Sequence, residues 1–208
     1  MDRTSIAHQT ETDPRYLLCR PRGGLNDTLC MIEMCWRYAE KFDRQLVIDT
    51  KNSALFDDFD TYFRVVDKTV AVTESLSDAL LRHLNTLPCK PKTLEGRVDT
   101  YRAVFMHGKG CCDGNSGKPT HFELHPLESI AEDSPAPLLI YENSGGGTPS
   151  HQLLNRIQLL DDVSEQIVTS LKTLRWPYAA VHVRNTEYQS NYRLFFKKIR
   201  KSVGVQPL

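Results

Sequence analysis

Apolar positions along this chain follow two periods. A short apolar run, YLLC at 16–19, is followed by a Gly/Pro loop and predicts a strand. From Thr28 to Phe42 the spacing is helical, and Leu29, Ile32, Trp36 and Ala39 form one stripe. Asn26 or Asp27 is the predicted N-cap of that helix. QLVI at 45–48 predicts the next strand. The three elements make a β-α-β unit, which implies parallel strands and a right-handed crossover.

The middle of the chain is less regular. FDDFDTYF (56–63) predicts a short helix or turn with aromatic anchors, and RVVD (64–67) a strand. Leu76 to Leu84 is predicted helical, and RAVFM (102–106) and LLIY (138–141) are predicted strands. GKGCCDGNSGKP, AEDSPAP and SGGGTPS are predicted loops. Further on, Leu153, Ile157, Leu160, Ile167, Leu171 and Leu174 predict one long amphipathic helix that Trp176-Pro177 stops. YAAVHV (178–183) predicts a buried strand, HVRNTEYQSNY a loop, and RLFFKKIRKSV a helix. There is no internal repeat. The fold class is α/β. Residues 1–14 are expected to be a flexible arm and 15–177 a Rossmann-like domain with a parallel sheet flanked by helices; 178–208 are expected to add one more β-α unit, the start of a second domain if the family resemblance given below holds.

Composition narrows the function classes. The 208 residues are 40% hydrophobic and 25% charged, with zero formal net charge. These are values of a globular protein without a field for nucleic acid or an anionic membrane. No apolar run approaches the roughly 20 residues of a membrane helix. The N-terminal segment MDRTSIAHQTETDPR has no apolar stretch of the signal-peptide kind. The six cysteines at 19, 30, 35, 89, 111 and 112 are therefore read as reduced thiols of a cytoplasmic protein, with Cys30 and Cys35 packing on a helix.

Two stretches carry candidate chemistry. In RPRGGLNDT (20–28), Gly23 and Gly24 let backbone N–H groups approach a ligand. The following helix N-terminus favours negative charge, and Arg20 and Arg22 add charge-assisted donors. The pattern is not GxGxxG, so a dinucleotide fingerprint is unsupported. A plain β-α turn with a good cap would look the same. In AAVHVRNTEY (179–188), His182 and Arg184 leave the C-terminal end of an apolar strand, the edge at which open α/β sheets bind ligands. The guanidinium can grip a diphosphate bidentately, the imidazole can donate to it, and Thr186 and Tyr188 add hydroxyls. An ordinary strand end with a surface arginine is the plainer alternative. Elsewhere, His107, Cys111, Cys112, His121 and His125 lack CxxC spacing, and adjacent cysteines chelate poorly, so no metal is expected. Asp57, Asp58 and Asp60 are expected to solvate a turn. No GxSxG elbow is present, which argues against an α/β hydrolase.

Strand-RGGLND-helix near the N-terminus, followed after a long helix by strand-HVRNTEY-helix, resembles the GDP-fucose-dependent fucosyltransferase superfamily. That group includes the α-1,6-, nodulation and protein O-fucosyltransferases. The resemblance implies the GT-B fold, two Rossmann-like domains facing across a cleft. It implies inverting transfer of fucose from GDP-fucose to a glycan or protein acceptor, without a metal cofactor. Arg184 would match the HxRxxD-type arginine that neutralises the β-phosphate and stabilises the leaving GDP. His182 would match the donor-contacting histidine, and Thr186 lies in the same donor-binding loop. Gly23, Gly24 and Asn26 would match the loop that faces the donor across the cleft, with Arg22 as a further contact.

Three departures accompany the likeness. Asn185 replaces the second arginine of the HVRRTD form, and Glu187 replaces its aspartate. The chain also ends at Leu208, one strand and one helix into the second domain, which implies a truncated form whose activity is open. Completion by a homo-oligomer or by a separate second-half chain is one expectation. A non-catalytic module that binds a glycan or a protein is the alternative from a different class.

Overall fold

A computed structural model describes residues 13–100, 105–106, 111–112, 132–143 and 147–174. The chain divides into two compact units, Met1–Ser164 and Glu165–Leu208. The first holds a five-stranded sheet. Its elements in chain order are β1 (Tyr16–Pro21), α1 (Leu25–Phe42), β2 (Gln45–Ile48), β3 (Phe63–Val65), β4 (Val72–Thr73), α2 (Asp78–Leu84) and β5 (Cys89–Lys90). Then come β6 (Phe105–Met106), β7 (Cys111–Cys112), β8 (Leu138–Asn143), α3 (Ser150–Leu153), β9 (Ile157–Leu159) and α4 (Asp161–Lys172). The sheet order is β4-β2-β1-β8-β5, and every pairing in it is parallel. This is the α/β, Rossmann-like architecture that the alternating pattern predicts.

Both faces of the sheet are covered, as a parallel sheet requires. Alternation of side chains sorts the strands into two cores. Leu17, Cys19, Leu46, Ile48, Leu139 and Tyr141 face α1, where Leu29, Ile32, Trp36 and Ala39 are all buried. Tyr16, Leu18, Val47, Leu138 and Ile140 face Leu76, Leu84, Leu94 and Val98 on the other side. Each fully buried aliphatic side chain contributes about 1.5–3 kcal/mol, so the helical stripe of α1 is a main source of stability.

Several boundaries differ from the sequence expectation. β1 runs on to Pro21, because Arg20 and Pro21 still pair with Glu142 and Asn143 of β8. Helix α1 begins at Leu25 with Gly24 as its N-cap. Asp27 is therefore the third residue of the helix, and its Oδ2 accepts from the Gly24 N–H at 2.9 Å. The 56–63 stretch holds a single 3₁₀ turn, Phe59–Thr61. The predicted GKGCCDGNSGKP loop contains β7, whose backbone pairs antiparallel with β6.

The largest correction concerns 153–174. One helix is expected there, and the structure has a short helix, a strand and a second helix. Leu153 and Ile157 are both buried against α1, and β9 pairs antiparallel with β3. Arg156 fixes the break between them. Its guanidinium bonds Glu33 at 3.1 Å and Asp67 at 2.6 Å, while its carbonyl accepts from Val66 and Asp67 N–H. Asp161 and Asp162 then restart a helix, with acids suited to its first turn.

Candidate functional site at the carboxyl edge of the sheet

β1, β2 and β8 run parallel and in close register, so their carboxyl ends gather on one edge. Three connections start there: 22–24, the segment from Asp49 onward, and the one that reaches Ser150. They are stitched together. Arg22 N–H donates to Asn143 O at 2.8 Å. Gly23 forms a parallel bridge with Ser53, and Ala54 N–H donates to Gly23 O at 3.0 Å. Asn26 Nδ2 donates to Gly147 O at 3.3 Å, and Ser150 Oγ donates to Asn26 Oδ1 at 2.7 Å.

Gly23 is required by its surroundings. Its φ is +93°, and an added Cβ would lie 2.7 Å from Asp27 Oδ2. The same carboxylate that caps Gly24 thus excludes a side chain at Gly23. Gly24 and Asn26 are exposed, although the Asn26 amide is engaged in holding the 147–150 segment.

The strand ends carry buried charge. Arg20 is 1% exposed and its Nε donates to Asp49 Oδ2 at 3.0 Å. Arg22 forms an ion pair with buried Glu142. On the same edge Lys51 Nζ lies 3.7 Å from Asp58 Oδ1. Cations and anions therefore come in pairs across this edge. Buried ionised side chains must be paired to be tolerated, and Arg20 and Arg22 each meet an acid from another strand or connection.

Of the predicted site residues, the structure brings Arg22, Gly23, Gly24 and Asn26 to one edge. His182, Arg184 and Thr186 lie outside the described residues, as does the predicted boundary at 177–178. Asp49 and Glu142 were not singled out from sequence. The available signal was an acid directly after each apolar strand run, QLVI-D and LLIY-E. Among the described residues, no group of three or more His, Cys, Asp and Glu is arranged to hold a metal, and no helix is long and apolar enough to cross a membrane.

A second polar centre lies at the opposite edge of the sheet. Arg44 bonds both carboxylate oxygens of Asp133, at 2.9 and 3.1 Å, and the carbonyls of Tyr16, Ser134 and Ala136. Burial raises the Asp133 carboxyl, but bonds from Arg44 and Tyr38 outweigh it and hold the group below its usual range. Burial and the bond to Asp133 push the Tyr38 phenol up to about 12.

The fold as described is similar to that of solved fucosyltransferase structures. One such structure is the fucosyltransferase NodZ from Bradyrhizobium, with a TM-score of 0.57 and 19% identity over 94% of this chain and 69% of that one. NodZ alpha-1,6-fucosyltransferase soaked with GDP-fucose matches with a TM-score of 0.57 over 94% of this chain and 68% of that one, at 19% identity. The form co-crystallised with GDP matches at 0.58 over 94% and 69%, also at 19% identity. At this identity the likeness establishes the shared fold. No protein-family model matches the chain, and no curated protein matches it in sequence.

Proposed function

We propose that this protein is a fucosyltransferase-like protein that binds a GDP-linked sugar, with GDP-fucose as donor and a glycan or protein as acceptor. The observation that carries the reading is the shared fold with NodZ structures that were soaked with GDP-fucose or co-crystallised with GDP. The glycine turn at 22–24 supports it, since it opens the backbone at the sheet edge where α/β folds take ligands.

In this reading the acceptor hydroxyl attacks the anomeric carbon, the bond to the donor phosphate breaks, GDP leaves with inversion at the sugar, and the hydroxyl proton passes to water. Arg184 takes up the charge that develops on the β-phosphate, and His182 and Thr186 hold the donor. Guanidinium replaces a divalent cation, so the reading requires no metal; one such preorganised donor is commonly worth about 3 kcal/mol of barrier. A reducing, cytoplasmic setting suits the buried free thiols Cys19, Cys30, Cys35 and Cys89.

The test is calorimetric titration of GDP into the purified chain and into Arg184→Ala, with UDP as the control. Selective binding of GDP by the wild type and its loss in Arg184→Ala is the expected result, and fucose transfer then becomes the assay. Equal affinity for GDP and UDP would remove the donor assignment.

A further inference from the structure

Phe56 stands apart from every other aromatic residue described. It is 82% exposed, and its φ of +54° places a bulky side chain in the left-handed region. Such a conformation is costly for any residue with a Cβ and persists only where neighbours fix it. Here they do. Phe56 N–H donates to Ser53 O at 3.2 Å, and Leu55 N–H to Ser53 Oγ at 3.1 Å. Thr50 Oγ1 donates to Asp57 O, and Tyr62 Oη to Leu55 O at 3.2 Å. Ser53 is itself buried, and Ala54, two residues before Phe56, is bonded to Gly23. The loop thus holds a strained aromatic ring out in solvent, tied to the glycine turn of the candidate site.

The charge around it selects the ligand. Arg20 is paired with Asp49, Arg22 with Glu142 and Lys51 with Asp58, while exposed Asp57 and Asp60 add acid beside the ring, so this edge disfavours an anionic ligand. Leu25, 50% exposed at the start of α1, adds a second apolar side chain beyond Gly23. Carboxylates around a projecting ring suit a neutral ligand with a flat apolar face and a rim of hydroxyl donors. A pyranose ring has that form, since its C–H face stacks on an aromatic ring while its hydroxyls point outward.

We propose that Phe56 is a stacking platform for a neutral pyranose, the acceptor sugar of the reaction. The inference rests on the transferase reading for the role of that sugar as acceptor. Its test uses the purified full chain with cellotriose, maltotriose and triacetylchitotriose as probes, titrated by calorimetry beside GDP. Wild type is expected to bind at least one trisaccharide, and Phe56→Ala to weaken it by roughly tenfold. Phe56→Trp is expected to keep binding and to change its emission on saturation. Phe56→Gly controls for folding: relief of the positive φ offsets the entropy that glycine adds to the unfolded chain, so melting is expected to stay within about 2 °C of wild type while sugar affinity falls.

The proposal is overturned if wild type binds none of the trisaccharides, or if Phe56→Ala binds them equally. It is also overturned if Phe56→Ala loses GDP instead, which would assign the ring to the nucleobase. Trisaccharide binding that depends on Phe56 in a chain that ignores GDP supports the platform and removes the transferase reading.

Discussion

The two ends of the central strand β1 both hide arginine, and they use it differently. At the starting end Arg44 closes a knot. One guanidinium bonds Asp133 and three backbone carbonyls, and so fastens the 133–136 segment to the sheet. At the finishing end Arg20 and Arg22 each meet an acid from a neighbouring strand end, and the connections above them keep a glycine at φ +93° and a phenylalanine at +54°. The first end spends its charge on the chain itself. The second holds its strand ends level and keeps costly backbone conformations in place above them. Buried charge alone therefore does not single out a candidate site; here the candidate is the end where buried charge lies beneath constrained, exposed loops.

The contrast can be broken first at Arg44. Arg44→Met takes the Arg44 bonds from three carbonyls and from partly buried Asp133, which keeps those of Tyr38 and Arg15, and is expected to cost about 4 kcal/mol in urea unfolding. The folded fraction should bind GDP as the wild type does. A cost under about 1 kcal/mol would mean that the knot is ornamental. Next comes Arg20→Met, which removes the guanidinium from Asp49 at 1% exposure and is expected to cost about 3 kcal/mol. The double variant Arg20→Met, Asp49→Leu is expected to recover most of that stability, read from a double-mutant cycle, while ligand affinity stays impaired. Additive losses would show that the two side chains do not act as a pair.

The smallest effect is alkaline. The Tyr38 phenol titrates near 10 when unfolded and at about 12 when folded. Its contribution is thus fully present below pH 10 and is lost as pH rises to 12. The urea midpoint of wild type should fall more steeply over that range than that of Tyr38→Phe. Parallel curves would remove Tyr38 from the knot.

Local pattern carried the first half of the fold well. β2 at 45–48 and the stripe on α1 stand where the periodicity places them, because propensity and burial agree there, although the N-cap is Gly24 rather than Asn26 or Asp27. The pattern failed at 153–174, where Leu153 and Ile157 are spaced for a helix but are buried by α1 and by pairing with β3, nearly a hundred residues earlier. Long-range pairing leaves little trace in local spacing. The glycine turn was legible in the sequence, while the pairing of the acids beneath it was not, since Asp49 and Glu142 meet their arginines only when the strands lie side by side. Phe56 was grouped with the aromatic anchors of 56–63. Phe59 and Phe63 are the anchors, stacked at 5.1 Å, and Phe56 is turned outward by a backbone angle that no composition reveals.

The strand order has a consequence for how the protein is made. β1 is flanked by β2, complete by Ile48, and by β8, which begins at Leu138. During synthesis the edge of β1 that faces β8 is born long before its partner. At roughly 5–20 residues per second that interval is on the order of ten seconds. An unpaired parallel edge is a template for other chains, so the nascent chain is most exposed to aggregation in that window. Slowing translation between codons 50 and 138 would lengthen it, and a chaperone that caps a bare strand edge would have its use there.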